Sequence, residues 1–132
     1  MQQDLFLIAL VVDDYDRAIE FYTRKLHFIL REDSRISDEK RWVVVVPPGK
    51  GNGCGLLLAK AANEQQQTRI GDQTGGRVFL FLHTDNFERD HDNLIQQQVT
   101  IVRPPREEPY GKVVVFADLY GNLWDLIGPA EN

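Results

Sequence analysis

A strand followed at once by an amphipathic helix occurs twice in this chain, and the two copies lie 72 positions apart, with the helices starting near positions 15 and 87. In the first copy, the apolar run 5–12 predicts a strand buried on both faces, and the Asp13-Asp14 pair that ends it predicts the cap of a helix. In the second copy, the run 77–84 predicts a strand, and Asp85 with Glu88 predicts a capping box. This repeat restricts the fold to two similar units.

Each predicted helix is followed by three segments with strand character. The charged stretch 31–40 is predicted to be a loop or an edge hairpin, and 103–111, with its three prolines, a loop. The Gln-rich segment 61–76 is predicted to connect the halves, because each half alone is too small for a stable core. We therefore predict a single α+β domain over 1–132, in which strand, helix and three strands occur twice, at 4–60 and 76–128. The predicted later strands are 28–30, 41–46, 56–59, 99–102, 112–116 and 123–127.

The charge balance and the cysteine content limit the possible partners. Fifteen Lys and Arg stand against twenty Asp and Glu, so the net charge is -5 and the basic surface that phosphate binding requires is not expected. Cys54 is the only cysteine, which excludes an intramolecular disulfide and fits a reducing compartment. No run of about 18 apolar residues is present, and the first residues lack the basic region of a signal peptide. We expect a cytoplasmic protein without nucleic-acid or membrane partners.

Two motifs near opposite ends of the chain resemble those of the vicinal-oxygen-chelate superfamily, which includes glyoxalases, bleomycin resistance proteins and extradiol dioxygenases. Residues 9–22, ALVVDDYDRAIEFY, resemble the family's opening V-x-D-x-x-R-A-x-x-F-Y. Residues 118–126, DLYGNLWDL, resemble its closing D-P-x-G-N-x-x-E-L. The resemblance covers essentially the whole chain. It implies two βαβββ modules forming a curled mixed sheet around a central cleft, with the helices outside, and commonly a homodimer.

The resemblance also implies where a metal would bind, because metal-dependent members take ligands from the first and last strands of each module. Only one of those positions, Asp125, carries a metal-binding side chain, and the family usually has Glu there. A single carboxylate does not hold a catalytic divalent ion, so we predict no bound metal and no other cofactor. The positions without ligand atoms are Leu7, Val78 or Phe79, and Gly55 or Leu57.

Asp125 and His83 are the candidate catalytic residues. Asp125 lies in an otherwise apolar strand, where a carboxylate must be paired, hydrated or functional to offset its desolvation. His83 ends the second module's first strand, and its direction depends on register: it faces the cleft with Phe79 and Phe81, or it faces the helix layer if Val78 faces the cleft. Together with Glu107 or Glu108, His83 is also the starting point of an alternative in which a metal site has been rebuilt.

Six further residues are candidates for ligand binding. An arginine can pair with an anion and an indole can stack on a planar ring, although an edge arginine in water beside a core tryptophan would explain the same two residues at the start of a strand. The proline-rich segment 103–111 suits a cleft lid or a dimer contact, or an ordinary polar turn. The glutamine in the glycine-rich stretch 71–76 would lie near a ligand. These candidates are Arg41, Trp42, Gln73, Arg106, Glu108 and Tyr110.

The retained motifs and the missing metal ligands favour a protein that binds a small planar or anionic molecule in its cleft, as the bleomycin-resistance branch suggests. The alternative is an enzyme of the glyoxalase, isomerase or dioxygenase type, which uses a rebuilt metal site or Asp125 as general base. A structural or partner-binding domain is the third hypothesis, and it predicts a cleft filled by core side chains.

Overall fold

The computed structural model of the protein describes residues 1–49 and 53–129. The chain divides into two compact units, Met1–Ile70 and Gly71–Asn132, each built on one four-stranded mixed sheet. The order strand, helix and three strands occurs in both, which confirms the predicted α+β fold and the doubled βαβββ unit. No helix in the described part of the chain is long and apolar enough to cross a membrane.

The first unit carries its helix against one face of its sheet. The strand order is β1-β4-β3-β2, with β1 parallel to β4 and the other neighbours antiparallel. Its elements are β1 (Leu7–Val12), α1 (Tyr15–Glu20), a π-helical turn (Phe21–Lys25), β2 (Ile29–Arg35), β3 (Arg41–Val46), β4 (Gly55–Lys60) and the short α2 (Glu64–Gln67).

The second unit repeats this arrangement with a longer helix and a longer edge strand. The strand order is β5-β8-β7-β6, again with one parallel pair, β5 and β8. Its elements are β5 (Val78–His83), α3 (Phe87–Gln96), β6 (Thr100–Glu108), β7 (Gly111–Ala117) and β8 (Leu123–Gly128).

The start of α1 follows directly from its cap. The Asp14 carboxylate accepts a hydrogen bond from the backbone N–H of Arg17 at 2.9 Å, and this bond lowers the pKa of Asp14. Tyr15 and Ala18 are buried in this helix, so its apolar side packs on the sheet. The helix therefore begins at the predicted residue.

Two predictions about β1 and α3 need correction. β1 is not buried on both faces: Leu10 and Val12 are fully buried, but Ala9 is exposed, because β1 is an edge strand with one covered face. The cap of α3 is Asn86, whose side chain accepts from the N–H of Arg89 at 3.1 Å. Two other predictions agree with the structure: 31–40 belongs to an edge hairpin, in which β2 runs through Arg35 and turns into β3, and 61–76 connects the two units and contains α2.

The segment 103–111 is largely strand and not loop. β6 extends through Glu108, and its pairing with β7 shifts between Arg103 and Arg106, where Pro104 and Pro105 lie. Prolines are tolerated there because β6 is at the sheet edge and its register irregularity needs no N–H donor at those positions. Composition alone favours a loop here, and only the strand pairing reverses that conclusion.

Candidate functional site

The second sheet has one face that packs on α3 and one that does not. A Cβ placed on Gly128 would lie 2.5 Å from the Cβ of Phe87, so Gly128 faces the helix directly. Because side chains alternate along a strand, Asp125 points to the opposite face. We call that opposite side the helix-free face.

Two rows of paired residues cross the helix-free face from β5 to β6. In the first row, Asp125 lies between Phe81 on β5 and Val115 on β7, and Val115 pairs in turn with Arg103 on β6. The second row follows the same path and consists of His83, Ile127, Val113 and Arg106. Each row therefore has an aromatic or imidazole ring at one end and a guanidinium at the other.

Asp125 lies in the floor of this face. The residue is only 6% exposed, and its Oδ1 atom is buried without a hydrogen-bond partner among residues 1–49 and 53–129. Burial raises the pKa of the Asp125 carboxyl above its ordinary value of 3.8, while the charges of Arg106 and Arg103 oppose the rise. An unpartnered buried carboxylate costs stability, so its presence calls for a functional explanation.

Arg106, Glu108 and Tyr110 form a second polar group at the β6 end of the face. The Nε of Arg106 donates to the Glu108 carboxylate at 2.7 Å. That bond raises the pKa of Arg106, to which Glu108 and Tyr110 also contribute by charge and, for Tyr110, by a hydrogen bond. Three of the residues named from the sequence thus meet at one place, and one of them, Arg106, acts on Asp125 through its charge.

Arg103 belongs to the same group, although the sequence did not single it out. It acts on Asp125 through its charge, is exposed, and forms no ion pair within the part of the chain that the structure describes. The two-residue period of a regular strand does not predict that Arg103 and Arg106 share a face, because β6 shifts register between them. Unlike the paired cations of this unit, Arg103 thus holds no ion pair among the described residues.

The register of β5 decides between the two orientations considered for His83. His83 pairs with Ile127 and Phe81 pairs with Asp125, so both β5 side chains lie on the helix-free face. His83 is exposed, and Phe81 is 65% exposed, which is unusual for a phenylalanine in a central apolar sequence. The alternative, a histidine in the helix layer, is wrong.

The turn before β8 fixes where Asp125 points. Asp118 is buried and accepts hydrogen bonds from the backbone N–H groups of Tyr120 and Asn122, each at 2.9 Å, and from the Asn122 amide at 3.0 Å. Gly121 completes the turn with φ 102, a conformation that other residues adopt only with strain. The motif 118–122 therefore has a structural role that sets the register of the candidate site.

The remaining three predicted residues lie outside the second sheet. Arg41 lies on the helix-bearing face of the first sheet, where it pairs with Asp33 at 2.7 Å and Asp16 at 3.0 Å and stacks over the Tyr15 ring. Trp42, its neighbour in β3, points to the other face of that sheet and is half-buried. Gln73 lies in the turns before β5 and is half-buried.

A shallow groove of about 340 Å³ lies on the α3 side of the second unit, lined by residues that include Glu88, His91 and Lys112. Arg106 and Glu107 of β6 line it as well. Lys112 pairs with Glu88 at 2.7 Å and lies over the Phe87 ring, on which His91 stacks, and Arg106 pairs with Glu108 at 2.7 Å. Asp125 does not line it. We place the candidate site on the helix-free face for this reason.

The residues present do not fit the family's usual metal. Leu7 and Gly55, which the resemblance places at ligand positions, pair with each other in the first sheet and offer no side-chain donor atoms. In the described ranges, no three or more His, Cys, Asp or Glu side chains lie together as a metal site would require. Asp125 remains the single donor among the inherited positions.

Comparison with known proteins places this chain in a family. The model of the Glyoxalase/Bleomycin resistance protein/Dioxygenase superfamily matches residues 5–126, so the chain belongs to that superfamily. The resemblance seen in the two sequence motifs is thereby confirmed.

Individual relatives cover nearly the whole chain. An uncharacterised protein of Shewanella frigidimarina (strain NCIMB 400) is 56% identical over 96% of this chain and 94% of its own length. The crystal structure of UcmS2 is similar with a TM-score of 0.83 and 32% identity, covering 96% of this chain and 98% of that one. TnmS3, an antibiotic binding protein from Streptomyces sp. CB03234, is similar with a TM-score of 0.77 and 26% identity, covering 98% of both chains.

Proposed function

We propose that this protein binds a small planar or anionic organic molecule on the helix-free face of its second sheet, without the metal that other family members use. The observation that carries the proposal is the grouping of a buried Asp125, whose Oδ1 has no partner among the described residues, with two arginines on the sheet face opposite α3. The similarity to TnmS3, an antibiotic binding protein, supports a binding role of this kind.

The electrostatics of the face favour an anion at its β6 end. Arg106 is already paired with Glu108, whereas Arg103 acts on Asp125 through its charge and holds no ion pair in the described part of the chain. A carboxylate or phosphate could pair with the exposed Arg103 guanidinium without displacing an existing ion pair, and such charge-assisted bonds are the strong ones. The exposed Phe81 ring offers a planar surface on the same face.

The proposal can be tested with isothermal titration calorimetry on 2-naphthoate and its neutral analogue 2-naphthamide. We expect the acid to bind more tightly, and we expect the variant Arg103→Gln/Arg106→Gln to lose about tenfold or more in acid affinity while amide affinity stays unchanged. Arg89→Gln is the matched control, since Arg89 lies on α3 in the same unit. Equal binding of acid and amide, or equal losses in the control, would contradict the proposal.

The metal-free part of the proposal has its own measurement. Protein purified without a metal-affinity tag is equilibrated with zinc, nickel, manganese and iron(II), freed of excess and analysed by inductively coupled plasma mass spectrometry. We expect no near-stoichiometric metal. Stoichiometric metal that falls away in Asp125→Ala or His83→Ala would overturn this part and would direct attention to a rebuilt site.

The raised pKa of Asp125 favours one second candidate, an enzyme in which this carboxyl transfers a proton. Such an enzyme would lose turnover in Asp125→Asn and keep its substrate affinity. Unchanged turnover in that variant would exclude Asp125 as the general base.

We also propose that the protein acts in the cytoplasm as a homodimer. The exposed side chains of Leu5, Phe6 and Ile29 in the first unit are apolar area that a second copy could cover. Sedimentation velocity at micromolar concentration checks the dimer, and a monomer would contradict it.

A further inference from the structure

This inference rests on the proposed function and narrows its ligand class. We propose that the ligand is an elongated aromatic acid that binds in one direction, with its distal ring on Phe81 and its acid group on Arg103. The proposal follows from the row Phe81, Asp125, Val115 and Arg103, which crosses the whole second sheet.

The length of the ligand follows from the strand spacing. Four adjacent strands place the ends of the row three spacings apart, roughly 14 Å between backbones. The arginine side chain reaches inward over part of this distance. A single-ring acid held by Arg103 would therefore leave Phe81 uncovered, whereas a two-ring acid would reach it.

The direction of binding follows from the position of the charges. Asp125 is the immediate cross-strand neighbour of Phe81, and Val115 separates it from Arg103. An ionised Asp125 repels a carboxylate at the Phe81 end, and Arg103 attracts one at the other end. Glu108 is a negative charge at the β6 end too, but it is paired with Arg106 at 2.7 Å and not with Arg103.

The surface of Phe81 supports an aromatic partner. The ring is 65% exposed, although its strand neighbours Leu80 and Leu82 are partly covered. The rest of the row carries a carboxylate, a valine and an arginine. The exposed ring of Phe81 is therefore the one large apolar contact that the row offers.

Biphenyl-4-carboxylate, biphenyl-4-carboxamide and benzoate separate the two ends of the site in a titration calorimetry series. We expect Phe81→Ala to weaken biphenyl-4-carboxylate about tenfold and to leave benzoate within about twofold. Arg103→Gln should weaken both acids by about tenfold and leave the amide unchanged. Phe6→Ala, which removes a phenylalanine of similar exposure in the first unit, and Arg89→Gln are the matched controls.

The outcomes distinguish this inference from the proposed function. If the acids bind through Arg103 but Phe81→Ala has no more effect than Phe6→Ala, the elongated ligand is wrong and the anion site stands. If Phe81→Ala weakens benzoate as much as biphenyl-4-carboxylate, the stated direction is wrong. If acids and amide bind alike in every variant, or none of the acids binds, both proposals fall.

Discussion

The two units differ in whether their buried and partly buried charges have ion-pair partners. In the first, Arg41 pairs with Asp33 and Asp16 on the helix-bearing face, so each charge meets a partner at 2.7 to 3.0 Å. In the second, Asp125 is more deeply buried, yet its Oδ1 has no partner among the described residues and its two arginines act only through their charge. A paired cluster stabilises the fold, whereas an unpaired one costs stability and is explained by function.

The pKa values of Asp33 and Asp125 shift in opposite directions, which agrees with this difference. The hydrogen bond from Arg41 lowers the pKa of Asp33, so ionised Asp33 stabilises the folded state. Burial raises the pKa of Asp125, so its ionised form is disfavoured on folding. Ionised Asp33 therefore stabilises the folded protein, whereas ionised Asp125 costs stability, a cost that the proposed binding role would explain.

The largest expected effect concerns the two buried aspartates of the second unit. We expect Asp125→Leu to raise the free energy of unfolding by about 1 kcal/mol or more, because it removes an unsatisfied buried acceptor. Asp118→Leu should lower it by about 3 kcal/mol, because Asp118 is equally buried but accepts three hydrogen bonds. Urea denaturation monitored by tryptophan fluorescence checks both. A loss of stability in Asp125→Leu as large as that in Asp118→Leu would remove the contrast between the two clusters.

Removal of the central arginine of the first cluster should have a smaller effect. We expect Arg41→Met to lower the free energy of unfolding by about 1 kcal/mol, since Asp33 then loses its partner in a partly buried setting. Arg24→Met, at an exposed helical ion pair, should change it by about 0.5 kcal/mol or less. Affinity for aromatic acids should stay unchanged in both variants. A weaker acid affinity in Arg41→Met would contradict the separation of a structural from a binding cluster.

The pH dependence of stability should have opposite signs at the two carboxylates. The contribution of Asp33 is present above its ordinary pKa of 3.8 and is lost as pH falls through its lowered value. The contribution of Asp125 is full below 3.8 and is lost as pH rises through its raised value. Relative to wild type, Asp33→Asn should thus become less stable, and Asp125→Asn more stable, as pH rises through this region. Urea midpoints from pH 3 to 7 measure both, and slopes of one sign would refute the assignment.

The smallest effect on stability is expected from Arg103. Because Arg103 is exposed and holds no ion pair in the described residues, Arg103→Gln should change the free energy of unfolding by about 0.5 kcal/mol or less. The same variant should raise the pKa of Asp125 further, since one of the two opposing charges is gone. Carbon-13 NMR titration of the Asp125 carboxyl detects this, with Arg89→Gln as control. An unchanged pKa would show that Arg103 does not act on the site.

Much of the fold could be predicted from local sequence. Asp14 caps α1 through a bond to a residue three positions away, and the apolar spacing after it determines which helix positions are buried. The order of strand, helix and three strands could be predicted in both halves for the same reason. The closing motif 118–126 identified Asp125 as a candidate site residue. These features depend on residues close together in the chain.

The composition of the site was decided by tertiary structure. Pairing between β5 and β8 put His83 and Phe81 on the face of Asp125, a choice that the sequence left open between two registers. Pairing between β6 and β7 turned a proline-rich loop prediction into a strand and brought Arg103 into the site. Arg41 was predicted from the sequence to bind a ligand. In the fold it pairs instead with Asp16, 25 positions away, and with Asp33.

The sequence by itself therefore determined the repeat, the family and the one inherited carboxylate, Asp125. Only the tertiary structure decided which charges are paired and which have no ion pair among the described residues. The physical reason is that a strand's alternation fixes two faces but not which one packs on the helix, and a one-residue shift in register exchanges them.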